Sequence, residues 1–288
     1  MNENATTRVT LATATPGGGF PLYGGAVAEV INAVDPALRV ECLNTKGSTE
    51  NVPLLAVRKV DLGLVTGEVA FAEKTDLRIL AAMYSTAGMF VVRGDGPARS
   101  IRDLVGQPVA FGARGSGLVI LARFVLDGMG LDMERDFTAI YLDRAGDGPD
   151  MVLDGRAAAL WGGGIGWPGF ARVAESGGRF IAPSGAEVAQ VRARHAFLKP
   201  LTVPAGAYPG QDAPIHSVGS WSFVMARPDL PDETGYRLAK ALHKGEAQLA
   251  AKLEQAKETT AANTAAAAPE PSLIHPGVAA YLREIGVL

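Results

Sequence analysis

The sequence predicts an α/β fold of two lobes, and three observations carry that expectation. Apolar, strand-like runs alternate with segments of helical periodicity along most of the chain, the pattern of parallel βαβ units with helices on both sheet faces. The 288 residues are about twice the ~100–150 of a single domain. Four times a strand-like run empties into a small-residue loop and then into a helical pattern, at residues 13–20, 44–51, 112–118 and 161–169. Glycine at the carboxyl end of a strand lets backbone N–H groups approach a bound anion while the positive end of the next helix faces it. Four such loops spread over two halves of the chain suggest convergent binding surfaces.

The elements follow in order. Residues 8–14 (RVTLATA) read as a buried strand, and 21–34 carry apolar residues at helical spacing until Asp35 and Pro36 stop them. The pattern repeats as strand 38–43, helix 51–59, strand 62–65, helix 68–74 and strand 77–84. After the turn-rich RGDGPAR at 93–99 a second series begins, with strand 108–111, helix 116–127, strand 137–142, helix 147–153 and strand 157–161. A strand at 179–182, a helix near 186–195 and a Pro/Gly-rich crossover at 200–214 come next. Residues 217–226 (SVGSWSFVMA) form a strand, and the chain is helical from 232 onward, including the Ala-rich 261–268. The expected division is lobe 1 at 1–88 plus 215–288 and lobe 2 at 89–214, with a two-crossing hinge near 84–93 and 200–217.

Composition narrows the function classes. A hydrophobic content of 48%, 20% charged residues and a net charge of −3 describe an ordinary soluble globular chain, and neither its mean hydropathy of +0.14 nor its pI near 5.9 gives an electrostatic reason to expect nucleic acid. The densest basic cluster, Arg192, Arg194, His195 and Lys199, reads as a solvated face near a helix end. The single cysteine, Cys42, excludes an internal disulfide and is expected to be a buried, inert thiol. No apolar run reaches the roughly 18 residues of a membrane span. Residues 1–8 (MNENATTR) lack a signal-peptide pattern, so the chain is either cytosolic or exported with its signal removed.

The loops supply the chemistry. In the first, three glycines free the backbone to curve around a ligand, with Thr15 and Gly18 among its residues and Phe20 or Tyr23 as a flat wall, unless it is a simple tight turn. In the second, Gly47 allows close approach and Ser48 offers a hydroxyl or a cap; Asn51 both donates and accepts, and Lys46 adds a cation. Pro53 suits a first helical turn, which places the helix start near Asn51. Thr66 and Glu68 end a third strand at the same edge, Glu68 holding a ligand ammonium or stabilising a helix N-terminus. In the second lobe Ser116 caps a long helix and turns the amides of Gly117 and Leu118 toward a carboxylate. Arg114 either grips that carboxylate through two parallel hydrogen bonds or sits in a surface ion pair. Trp167, in the fourth loop, is a wall or lid, or a core residue.

The dinucleotide fingerprint and the phosphate loop are unmatched, and the four histidines lack metal-ligand spacing. No cofactor is expected, and no nucleophile or general-base pair is visible, so an enzyme is not expected.

The stretches TPGGGFPLYGGAVAEVIN, NTKGSTENVPLLAVRKVDLGLV, FGARGSGLVILARFVLDGMGL, VPAGAYPGQDAPIHSVGS and SLIHPGVAAYLREIGVL resemble the TAXI-type substrate-binding proteins of TRAP transporters, nearly over the whole chain. The resemblance implies a type II periplasmic-binding fold, a periplasmic receptor with its export signal removed, and capture of a small organic carboxylate by lobe closure. It also implies delivery to TRAP membrane subunits, fused or separate, by a monomer. It assigns ligand contacts to Thr15, Gly18, Phe20, Lys46, Gly47, Ser48, Asn51, Ser116, Gly117 and Leu118. Phe20 and Leu118 stand where that family often has hydroxyls, and Lys46 and Arg114 add positive charge; together they favour a dicarboxylate or oxo-acid over an amino acid such as glutamate. A binding component of an ABC importer, or a sensor, shares the fold and differs in partner.

Overall fold

A computed structural model describes residues 6–72 and 75–288. In chain order the elements are β1 (Thr7–Ala12), α1 (Gly19–Val34), β2 (Leu38–Leu43), α2 (Ser48–Ala56), β3 (Leu62–Thr66), α3 (Gly67–Ala70), β4 (Arg78–Ala87) and β5 (Met89–Val92). They continue with β6 (Pro108–Ala113), α4 (Gly117–Gly128), β7 (Thr138–Leu142), α5 (Gly148–Leu153), β8 (Ala159–Gly162), α6 (Pro168–Glu175), β9 (Arg179–Ile181), α7 (Gly185–Arg194) and β10 (Lys199–Val203). The chain ends with β11 (Ile215–Ala226), α8 (Asp232–Lys252), α9 (Ala261–Ala267) and α10 (Pro276–Glu284). Of the described residues, one unit holds those up to Ala14, Phe20–Tyr84 and Trp221–Leu288; the other holds Thr15–Gly19 and Ser85–Ser220. The chain changes unit inside β4 and inside β11, and Thr15–Gly19 leaves the first unit to join the second.

In the first unit β1 runs parallel to both β2 and β3, and β11 lies antiparallel to β3 with Ser222 opposite Thr66. All of β3 is buried, as expected of a strand covered on both faces. Leu62 and Leu64 point, with Val224 and Ala226 of β11, into a core built with Tyr23, Val27 and Ile31 of α1, Leu238 and Leu242 of α8 and Val278 and Leu282 of α10. Val65, Phe223 and Met225 face the other way, with Leu55 of α2. Leu38 and Val40 alternate inward on β2, but Cys42 at its far end is exposed. This corrects the expectation of a buried thiol: β2 is an edge strand, and the core covers only its first half. Partial burial still pushes the thiol pKa up.

In the second unit the strand order is β7-β6-β8-β5-β9, with β7, β6 and β8 parallel. Phe90, Phe111, Trp161 and Phe137 form a chain of edge-on rings through its core. Residues 200–214, read from sequence as a crossover, begin with strand β10 against β11, because β10 holds one proline, Pro200, and no glycine, the rest of the Pro/Gly content lying in the stretch that follows. The second helix starts at Ser48 instead of Asn51 and accommodates Pro53 in its interior. The helix expected at 68–74 ends at Ala70, and Glu73 and Lys74 lie outside the described residues. No described helix is long and apolar enough to cross a membrane.

Asp35 stops α1 by accepting from Ala37 N (3.1 Å), and it receives an Arg237 fork from α8 at 2.8 and 3.0 Å. The guanidinium holds its carboxyl below the ordinary range. A carboxylate depressed in the folded state stabilises above its unfolded pKa and loses that contribution as pH falls through the folded value. Asp35→Asn should therefore cost about 1 kcal/mol near neutrality. The gap to wild type should close in denaturant melts below about pH 4; a gap unchanged at pH 3 would contradict the assignment.

Candidate functional site

In the first unit the parallel strands β1, β2 and β3 discharge their loops at one edge, and Asn51 ties those loops together. It is fully buried. Its Nδ2 donates to Thr13 O and Leu64 O, both at 2.8 Å, and its Oδ1 accepts from the Thr45 hydroxyl at 2.7 Å. Gly47 caps α2 with φ of 105°, a conformation that glycine adopts without strain. The Lys46 N–H donates to Glu50 Oε2 at 2.6 Å, and the Lys46 side chain is exposed. Buried Ser48 accepts from Thr66 N at 3.1 Å. Asn51 thus spends its polar atoms on holding the edge, and Ser48 keeps its hydroxyl proton. Glu68 is buried at 6% exposure, and Phe20 in the first turn of α1 packs against the core. The Thr66 hydroxyl caps nothing and is buried without a partner, as is that of Ser222 opposite it.

In the second unit the loops after β6, β7 and β8 leave at a common edge. Arg114 is exposed, and its guanidinium lies 3.8 Å above the Tyr141 ring centroid, a stacking geometry suited to a planar cation. The Tyr141 hydroxyl donates to Glu134, and Arg123 reaches both at 2.9 Å. That hydroxyl first, and then Arg123, hold the Glu134 carboxyl below its ordinary range. Among the described residues no carboxylate is paired with Arg114, so the ion-pair alternative is not what the structure shows. Ser116 caps α4 by accepting from Val119 N at 3.3 Å. Gly117 and Leu118 supply first-turn amides that have no intrahelical acceptor.

Trp167 is a core residue. It is 4% exposed and tilted against Phe170 at 5.1 Å. Its indole N–H is buried without a partner. Tyr208 anchors the same loop by donating to Gly164 O at 2.7 Å. Thr15 and Gly18 belong to this unit, where Gly17 at φ 82° lies so close to the Gly146 backbone that a Cβ would come within 2.6 Å. The sequence-predicted residues therefore divide by unit. Thr15, Gly18, Arg114, Ser116, Gly117, Leu118 and Trp167 are in one, and Phe20, Lys46, Gly47, Ser48, Asn51, Thr66 and Glu68 in the other. Sequence reasoning missed Tyr141, which fixes Arg114, and Ser222. The signal for Ser222 was a hydroxyl interrupting the apolar alternation of SFVMA.

Two α/β units, each with a sheet edge that gathers glycine loops, helix N-termini and unpaired donors, define the fold of the periplasmic binding proteins. The chain belongs to the NMT1-like family, which it matches over residues 11–286. Among solved structures it is similar to the periplasmic binding protein BugD, at 15% identity and a TM-score of 0.60 over 98% of each chain. It is also similar to the substrate-binding protein of an amino acid ABC transporter, at 12% identity and a TM-score of 0.51, over 87% of this chain and 97% of that one. A third is the periplasmic sulfonate-binding protein of a putative sulfonate ABC transporter from Methylobacillus flagellatus, at 17% identity and a TM-score of 0.50, over 88% of this chain and 72% of that one.

Proposed function

We propose that this protein is an extracytoplasmic solute receptor that captures a small organic anion and delivers it to a membrane transporter. The observation that carries the reading is Arg114, a guanidinium with no paired carboxylate among the described residues, 3.8 Å over the Tyr141 ring centroid beside the N-terminus of α4. A guanidinium already oriented loses little freedom when it grips a carboxylate or sulfonate in two parallel hydrogen bonds. The amides of Gly117 and Leu118 add donors under the helix dipole, and the buried indole N–H of Trp167 is a further unused one. The role is binding, not catalysis. An ABC importer is the favoured partner, because two of the structural neighbours reported above are described as ABC transporter binding proteins. A TRAP partner is the second reading, favoured by the loop motifs alone.

The test is a thermal-shift screen of dialysed protein against carboxylates, sulfonates and amino acids, since a ligand that binds only the folded state raises the melting temperature by mass action. One anion class should raise it. Arg114→Ala should weaken that binding roughly tenfold to a hundredfold, the worth of a charge-assisted pair. Absence of a shift from every anion, or an Arg114→Ala protein that binds as well as wild type, would overturn the proposal. Uptake lost on deleting an ABC permease but not TRAP subunits would settle the partner.

A further inference from the structure

We infer that Arg123 is a positioning residue for the anion site: it occupies Glu134 and so keeps that carboxylate from neutralising Arg114. The inference rests on the receptor reading and adds to it the reason why a guanidinium close to an acidic residue is left for a solute. All the side chains concerned lie in the second unit. Arg114 is in the loop after β6, Arg123 on α4, Glu134 in the segment between α4 and β7, and Tyr141 on β7.

Tyr141 brings them together. Its ring face carries Arg114, 3.8 Å from the centroid, and its hydroxyl donates to Glu134. One phenol therefore stands between a cation on its face and a carboxylate at its hydroxyl. After that hydroxyl and Arg123, the charge of Arg114 also helps to hold the Glu134 carboxyl below its ordinary range, so the two attract, yet no carboxylate among the described residues pairs with Arg114. What holds Glu134 elsewhere is Arg123. Glu134 Oε1 accepts from Arg123 Nη2 at 2.9 Å as well as from Tyr141, and the same Nη2 donates to the Tyr141 hydroxyl at 2.9 Å. The Glu134 backbone is fastened too, its N–H donating to Asp132 Oδ1 at 2.9 Å. Two guanidiniums thus share one carboxylate, and the one in direct contact is Arg123. The cation left without a counter-ion is Arg114, at the end of α4 where first-turn amides and the helix dipole also favour an anion.

The ligand-free full chain supplies the first test, by nuclear magnetic resonance. A proton over an aromatic ring is shifted upfield, so the Arg114 Nε–H resonance, assigned by its loss in Arg114→Lys, should lie upfield of ordinary arginines. Arg123→Met should move it downfield, as Arg114 turns from the ring to Glu134. Arg123→Lys should keep the wild-type position, and Glu134→Gln added to Arg123→Met should restore it. Calorimetry with glutarate and ethanesulfonate, one carboxylate and one sulfonate, supplies the second. Arg123→Met should weaken whichever anion wild type binds by roughly twofold to fivefold, the worth of an exposed ion pair, and in the Glu134→Gln background the same substitution should cost no affinity. The Arg123 and Glu134 side chains are 44% and 50% exposed, so each variant should melt within about 3 °C of wild type.

An equal loss of affinity in both backgrounds would mean that Arg123 acts only as a distant positive charge; it would overturn this inference and leave the receptor standing on its Arg114→Ala result. So would an Arg114 resonance that Arg123→Met does not move, or a melting temperature lowered well beyond that range. Binding of neither anion to wild type would remove the receptor reading and this inference with it.

Discussion

Asn51→Asp should be more damaging than Asn51→Ala, although aspartate is nearly the same shape. The Asn51 amide donates to Thr13 O and Leu64 O and accepts from Thr45, in a fully buried position. Alanine deletes both amide bonds, leaving Leu64 O without its side-chain donor and Thr13 O with only the longer Thr45 hydroxyl bond at 3.2 Å, at about 1–3 kcal/mol each. A carboxylate deletes the same two bonds and adds a charge facing the carbonyl oxygens, which costs more than the missing bonds. The expected loss is roughly 3–5 kcal/mol for alanine and more for aspartate, or about 10 °C or more in melting temperature. Because the Thr45 hydroxyl shares its one proton between Asn51 Oδ1 and Thr13 O and accepts from Gly47 N, the loop carrying Lys46 and Gly47 should loosen as well. Ligand affinity should then fall in any variant that still folds. An Asn51→Asp protein as stable as wild type would show that these carbonyls are not held by the amide.

The same residue shows what was legible in the sequence. The loop 44–51 was recognisable from its composition, and the strand and helix around it from periodicity, because both signals are local. That Asn51 would turn inward to serve β1 and β3 was not, since those acceptors stand 38 and 13 residues away in sequence. The motif resemblance behaves similarly. Tyr208 and Gln211 of the Y-P-G-Q segment are occupied by Gly164 O and by Pro204 O and Ala207 N, and His275 of the terminal HPG caps α10. Such residues specify how the chain is fastened, so a likeness in them indicates a fold more firmly than a transport partner. Arg114 was legible as a cation at a strand end. Its support was not, because Tyr141, Glu134 and Arg123 come from three separate segments. Cys42 was misjudged because a strand's place at the edge of a sheet is set by strands elsewhere in the chain.

Gly277→Ala should be strongly destabilising even though alanine is the better helix former. Gly277 lies in the first turn of α10, where a Cβ would stand 1.9 Å from Asp232 O and 2.8 Å from Tyr236 N of α8. Helix propensity favours alanine by about 1 kcal/mol, whereas backbone atoms so close leave no rotamer to adjust and force the two helices apart. That separation also strains His275, which is buried, accepts from Gly277 N at 3.2 Å and reaches Leu230 O through Nε2 at 2.9 Å. A backbone carbonyl acceptor requires the proton on Nε2, which leaves Nδ1 to accept, so the imidazole is neutral and serves both helices at once. Overpacking of this kind costs roughly 3 kcal/mol or more, and the melting temperature should fall by about 6–12 °C. Gly25→Ala supplies the opposite sign from the same substitution. It lies within α1 with nothing within 4 Å of the new Cβ, so propensity acts alone and stability should rise by up to about 1 kcal/mol. If both variants shifted the melting temperature upward, the close approach of α10 to α8 would be refuted, because steric contact is the one term that separates the two sites.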